Sequence, residues 1–183
     1  MPKKETKRDI KVVNIVVSTS LKHDIPLEKM TATLSNTEYN PEQFPGLVIR
    51  IKEPKTSALI FSSGKVVCTG ARSMDKVEES IKKIIKSLEK INIKITIKPE
   101  IKIQNIVASG SVGMDLNLNT LAMKLENTEY EPEQFPGLVY KLAEAKATFL
   151  LFSNGKIVCT GTKSEKEVHA ALDKLIVNLK KVK

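Results

Sequence analysis

The sequence contains no tryptophan, only two histidines and only two cysteines, and each scarcity removes a class of chemistry. Cys68 and Cys159 sit inside the apolar stretches VVCTG and IVCTG, so they read as buried free thiols rather than a disulfide or a metal site. His23 and His169 have no ligand-type neighbours at metal spacing, which leaves no candidate metal centre. Apolar runs extend for only a few residues, too short for a membrane span. The opening MPKKETKRDIK is charged with no apolar segment behind it, so it is not a secretory signal. Residues 1–9 read instead as a basic arm. A glycine-rich phosphate loop, a His or Cys dyad and a carboxylate pair shared by a plausible cleft are also missing, so no catalytic residue is nominated, no cofactor is implied and an enzyme is disfavoured.

What the chain does have is repetition. EYNPEQFPGLV begins at Glu38 and returns as EYEPEQFPGLV at Glu129; IFSSGKVVCTG begins at Ile60 and returns as LFSNGKIVCTG at Leu151. The offset is 91 residues in both cases, and a gapless overlay of residues 10–92 on 101–183 matches roughly 39 of 83 positions. Such a period means one folded unit used twice. We read residues 10–92 and 93–183 as two copies within a single fused domain. A pseudo-twofold protein suits a target of similar symmetry.

Each copy alternates between periods of two and 3.6. Residues 10–18, IKVVNIVVS, are β-branched and predict a strand; Asp24 and Pro26 predict the start of a short helix running to about Met30. PEQFPG predicts a loop, LVIRIKE a strand, and SALIF with KVVCTG two strands joined at SSG as a hairpin. After Gly70, Val77, Ile81, Ile84, Ile85 and Leu88 fall on one helical stripe, capped at Ser73 or Asp75. Its counterpart carries Val168, Leu172, Leu175, Ile176 and Leu179 behind Ser164. The segment INIKITIKPEIKIQNIV predicts one long strand leading directly into the second copy. Antiparallel strands with helices on one face make an α+β fold.

A sheet covered on one face should alternate to polar on the other. Here Val16, Leu59, Phe61 and Val67 point away from the helices, as do Val107, Leu150, Phe152 and Val158, with Asn14 and Asn105 among them. Either both faces are covered and these residues are ordinary core, or they form a contiguous exposed apolar patch of the kind that marks a binding surface. Four of the five phenylalanines form repeat-equivalent pairs, Phe44/Phe135 and Phe61/Phe152, and the first pair lies in a Pro-Gly loop, where function concentrates more than packing. The formal net charge is +9, a balance that favours a polyanion such as nucleic acid.

The two EYxPEQFPGLV blocks, the IFSSGKVVCTG block with its copy, and QNIV at Gln104–Val107 together resemble the TATA-box-binding protein family, its archaeal members in particular. The likeness runs from about Ile10 to about Lys180. It implies a ten-stranded antiparallel sheet, curved as a saddle, with four helices on its convex back. It also implies a general transcription initiation factor whose concave face enters the minor groove of an AT-rich TATA box and kinks it, as is known of the family. The resemblance casts Phe44, Phe61, Phe135 and Phe152 as intercalating wedges. It casts Asn14, Asn105, Thr69 and Thr160 as contacts to minor-groove acceptors, with Val16, Val67, Val107, Val158, Leu59 and Leu150 as apolar contacts to the base edges. Arg50, Lys65, Arg72, Lys141, Lys156 and Lys163 would neutralise phosphates.

The second loop carries Glu126, Glu129, Glu131 and Glu133, where the first has Glu38 and Glu42. By the resemblance this end docks transcription factor B, through Glu131 and Glu133, with RNA polymerase recruited indirectly. The free protein is expected to homodimerise through the apolar face when no DNA covers it. The resemblance also implies a cytoplasmic location at the archaeal nucleoid, or the nucleus in a eukaryote. The rival reading is a sheet-surface module that binds protein or lipid through the same apolar face. DNA binding should weaken steeply with salt and apolar docking should not.

Overall fold

The computed structural model describes residues 9–182, so all of the basic arm at 1–9 except Asp9 lies outside the described residues. The fold is α+β: a ten-stranded antiparallel sheet and four α-helices. The described chain divides into two compact units, one spanning Asn14–Gln104, the other joining residues through Val13 to those from Asn105 onward.

In the first unit the elements are β1 (Asp9–Ser20, entering at Asn14), α1 (Leu27–Thr33), β2 (Thr37–Glu38), β3 (Leu47–Ile51), β4 (Thr56–Ile60), β5 (Lys65–Ala71) and α2 (Met74–Glu89). Its strand order is β2-β3-β4-β5-β1. The second unit repeats the plan with β6 (Lys102–Ser111), α3 (Leu118–Lys124), β7 (Thr128–Glu129), β8 (Leu138–Leu142), β9 (Ala147–Leu151), β10 (Lys156–Thr162) and α4 (Glu165–Lys181), in the order β6-β10-β9-β8-β7.

Side-chain alternation separates two faces in each unit. Ile49, Ala58, Cys68 and Val17 share one cross-strand row and are all buried, and α2 packs against β5 on this side. The stripe on α2 supplies Val77, Ile81, Ile84 and Leu88 to the same core. The second unit matches it with Tyr140, Phe149, Cys159 and Ala108 beneath Val168, Leu172, Leu175 and Leu179 of α4. Phe149, the fifth phenylalanine, is therefore core. Both long helices begin at a serine whose hydroxyl accepts a backbone N–H, Ser73 from Lys76 and Ser164 from Glu167, as the capping rule requires.

Two expectations fail. The helix α1 begins at Leu27 with Pro26 in the capping position and no side-chain cap, so Asp24 does not cap it. A proline ring pre-sets the entry angle and lacks the N–H a capping carboxylate would otherwise accept nearby. The stretch after α2 also does not continue as one long strand: β6 starts only at Lys102. Its Ile/Lys alternation fits a strand, but alternation alone makes no strand without hydrogen-bonding neighbours along its length. Ile91 is instead tucked into the core, and Thr19 Oγ1 donates to the Glu100 carbonyl at 2.7 Å. At the position 91 residues after Thr19 stands Gly110, where an added Cβ would lie 1.9 Å from the Asp9 carbonyl oxygen.

Candidate nucleic-acid interface

The face opposite the helices carries the residues singled out by sequence, and register arranges them in rows. Val48, Leu59, Val67 and Ser18 are paired across β3, β4, β5 and β1; Val139, Leu150, Val158 and Ser109 are paired across β8, β9, β10 and β6. These apolar side chains, together with Val16 and Val107, are neither buried nor fully exposed. Val48 and Val139 also belong to the rows; the LV that closes each repeated EYxPEQFPGLV block was the available signal. A second row holds Arg50, Ser57 and Thr69 in one unit and Lys141, Thr148 and Thr160 in the other.

Each unit sets one phenylalanine pair beside its apolar row, the inner ring two residues beyond Leu59 or Leu150. Phe44 and Phe61 meet edge to face with ring centroids 5.9 Å apart, and Phe135 meets Phe152 at 5.9 Å. The outer ring of each pair is 43% exposed, which for a side chain this apolar means unpartnered surface. Local structure fixes both rings. The Asn40 carbonyl accepts the N–H groups of Gln43 and Phe44, and the Glu131 carbonyl those of Gln134 and Phe135, closing the loop turn that presents the outer ring. Phe61 N donates to the Lys65 carbonyl at 2.9 Å at the start of the β4–β5 turn, which holds the inner ring. Gly46 makes room: a Cβ there would lie 2.7 Å from Phe44 Cε1 and 3.1 Å from Phe61 Cε1.

Asparagine orientation is decided by the backbone. The β1–β5 register slips between Ile15 and Val17, a β-bulge that places Gly70 at φ +101°. Its N–H turns out of the ladder and donates to Asn14 Oδ1, while Asn14 Nδ2 donates to Thr69 Oγ1 at 3.1 Å. Gly161, at φ +93°, serves Asn105 in the same way, with Thr160 Oγ1 at 3.0 Å from Asn105 Nδ2. A backbone N–H can only donate, so the amide oxygen faces inward. One hydrogen on each Nδ2 is then left for an acceptor lying on the face. The bulge was overlooked at the sequence level, although a glycine inside a strand pattern is its usual sign.

The basic residues form no tight cluster. Lys65, Arg72, Lys156 and Lys163 are exposed beside the rows, as are Arg50 and Lys141. Arg50 Nη1 lies 3.4 Å from Glu38 Oε2, a solvent-exposed pair weak enough to exchange for another anion. Asn154 Oδ1 accepts the Lys156 N–H at 3.0 Å, which organises the β9–β10 turn and leaves its amide hydrogens outward. Glu131 and Glu133 are exposed on the β7–β8 loop beside Phe135.

Among the described residues no group of three or more His, Cys, Asp or Glu side chains could hold a metal, and no helix is long and apolar enough to cross a membrane. Both thiols are buried. Desolvation pushes the Cys159 thiol up to about 11, partly opposed by its hydrogen bond with Thr162, and burial likewise raises that of Cys68.

The sequence model of the family described as transcription factor TFIID, or TATA-binding protein, matches residues 9–91 and again residues 100–182. The chain belongs to the TATA-binding-protein family. A TATA-box-binding protein of Methanocaldococcus jannaschii is 52% identical over 174 residues, covering 95% of each chain. One from Archaeoglobus fulgidus is 49% identical over 173 residues, covering 93% of this chain and 94% of its own. The solved structure of Methanococcus jannaschii TBP superposes with a TM-score of 0.89 at 52% identity, covering 94% of this chain and 99% of that one. The TATA-binding-protein family is one of transcription factors, and this member is not an enzyme.

Proposed function

We propose that the chain acts in transcription initiation by binding the minor groove of AT-rich TATA-box DNA with the face opposite its helices. The observation that carries the reading is a half-buried apolar row with a T-shaped phenylalanine pair beside it, present in each unit. Phe44 with Phe61, and Phe135 with Phe152, wedge into base steps; the unstacking cost of about a few kcal/mol per step is offset by apolar contact with the opened groove. Val16, Leu59, Val67 and their images Val107, Leu150 and Val158 lie along the groove floor, where the protruding amino group of a G·C pair has no room.

Asn14 and Asn105, with Thr69 and Thr160, donate to adenine N3 and thymine O2. The free Nδ2 hydrogens suit those acceptors. Arg50, Lys65, Arg72, Lys141, Lys156 and Lys163 neutralise phosphates. Residues 10–92 and 93–183 serve as two copies of one DNA-binding unit, with the arm at 1–9 adding positive charge. Transcription factor B docks on Glu131 and Glu133 and brings RNA polymerase indirectly; without DNA the same face pairs two copies of the protein. The site of action is the nucleoid, in the cytoplasm of an archaeal cell.

The test replaces Phe44, Phe61, Phe135 and Phe152 with alanine and follows a dye-labelled AT-rich duplex by energy transfer, with a GC-rich duplex as control. The parent should bind the AT-rich duplex preferentially and shorten its end-to-end distance; the variant should do neither. Equal bending by parent and variant would sink the proposal. Binding that ignores base composition and salt would favour the protein- or lipid-docking alternative.

A further inference from the structure

Lys22, Lys98 and Lys102 come together with Lys65 in the first unit, around one cleft of about 600 Å³. The cleft lies where β1 ends and β5 begins, next to the proposed DNA face: Ser20 pairs with Lys65, and Ser18 with Val67 of the apolar row. Its far wall is the stretch between α2 and β6, held by the Thr19–Glu100 hydrogen bond and by Gln104 Nε2 donating to Ser18 Oγ at 2.8 Å. Four ammonium groups face one carboxylate, Glu100, and none of the four is in an ion pair among the described residues. Ser18 Oγ and Ser20 Oγ each accept a hydrogen bond, from Gln104 Nε2 and from Lys22 N, so both hydroxyl protons remain to be donated. Unpaired cations beside free hydroxyl donors suit a phosphate oxyanion.

Backbone conformation supplies an independent sign. Lys22 has φ +50°, in the left-handed region that a side chain disfavours. Its image 91 residues on is Gly113, at φ +75°, where the strain is absent and an added Cβ would meet nothing within 4 Å. Glycine would relieve position 22 in the same way, yet a lysine stands there and lines the cleft. Strain tolerated at one copy and avoided at the other points to the side chain.

We propose that this cleft is a phosphodiester-binding subsite that takes backbone phosphates of the duplex where it runs past the end of β1 and the start of β5. The proposal rests on the minor-groove reading above and extends it. Because Gly113 offers no ammonium, the first unit grips the backbone harder at this corner than the second. The bound DNA thereby acquires a polarity that two nearly identical apolar faces do not give it.

The experiment measures affinity of the full chain, by fluorescence anisotropy across a salt series, for an AT-rich element carrying long flanks. The test variant is Lys22→Gly with Lys98→Gln. Glycine fits φ +50° better than lysine, so a folding defect is not built in. Losing two phosphate contacts should flatten the slope of log K against log salt by about 1.8, so that between 50 and 200 mM salt the parent loses about tenfold more affinity than the variant. A control with the same charge change, Lys82→Gln with Lys86→Gln on α2, should keep the parental slope. An unchanged slope in the test variant, or equal flattening in the control, overturns the subsite. So does full protection of the cleft by inorganic phosphate at constant ionic strength with no change in the DNA slope, which would mark a small-anion site. Failure of the parent to prefer the AT-rich duplex over a GC-rich one would instead overturn the function on which the subsite rests.

Discussion

Asn14 Oδ1 accepts the backbone N–H of Gly70 at 2.7 Å. That bond fixes the polarity of the exposed amide, because its only acceptor is consumed inside the protein. Asn14→Asp would keep the inward acceptor and remove the outward donor, placing a carboxylate against groove acceptors. The expected outcome is a stable fold and a loss of AT-duplex affinity of about 10- to 150-fold, the range for one hydrogen bond replaced by an unpaired charge. Anisotropy with the AT-rich duplex checks it, and wild-type affinity would show that this amide does not face the bases.

Gly46→Ala tests the ring pair without touching a ring. The added methyl would clash with Phe44 and press on Phe61, and the exposed Phe44 ring is the one free to yield. Thermal stability should change by less than about 1 kcal/mol, since alanine also lowers the entropy of the unfolded chain. DNA bending measured by energy transfer should fall at one end of the element. A variant that bends DNA as the parent does would separate ring geometry from kinking.

Thr56 Oγ1 and Ser80 Oγ lie 2.8 Å apart, both buried; 91 residues on stand Ala147 and Ala171, buried as well. The polar pair and the apolar pair are each self-consistent. Either single change to alanine in the first unit should cost about 1 kcal/mol through loss of the buried bond, because Ser80 Oγ keeps the Lys76 carbonyl at 2.9 Å and Thr56 Oγ1 has the Pro54 carbonyl at 3.4 Å. The double change should cost less than the sum of the two. Chemical denaturation of the four proteins measures the coupling; additive losses would mean the hydroxyls act independently.

Reversal of Glu131 and Glu133 to lysine tests the partner surface. Both are exposed and neither lies in the apolar rows, so DNA affinity should hold or rise slightly while the complex with transcription factor B is lost. A mobility shift with DNA and factor B decides it: a persisting supershift removes these glutamates from the docking surface.

The Cys159 thiol, pushed up to about 11 by burial, has roughly one thiolate per thousand molecules at pH 8 and no solvent path. Alkylation of folded protein should be negligible at that pH and should begin only with unfolding. The sign follows from the raised value: below the ordinary 9.0 both states keep the proton, and stability declines as pH climbs from there towards 11 because only the unfolded chain ionises freely. Rapid labelling of native protein at pH 8, followed by mass spectrometry, would contradict this.

Much of the architecture was legible because local pattern and repetition agree. Period-two runs gave β3, β4 and β5, the serines at 73 and 164 gave the long-helix starts, and the 91-residue offset let each copy check the other. Leu59, Val67, Leu150 and Val158 of the apolar rows followed from alternation, whereas Val48 and Val139 did not. What escaped depends on contacts distant in sequence. The turn of the Gly70 N–H towards Asn14 exists only once β1 lies beside β5 with its slipped register, and the need for Gly46 appears only when two rings 17 residues apart converge. The misread segment after α2 failed for the same reason: its alternation was correct, but strand identity is conferred by neighbours.

The paired features at Thr19 and Gly110 bear on how the polypeptide can be divided. One hydroxyl is tethered to the carbonyl of residue 100, and one bare α-carbon is overlain by the carbonyl of residue 9. A single cut between residues 92 and 93, the seam suggested by the duplication, would hand each of those carbonyls to the wrong fragment. Either piece expressed alone would lack the stretch that lies against its opening strand.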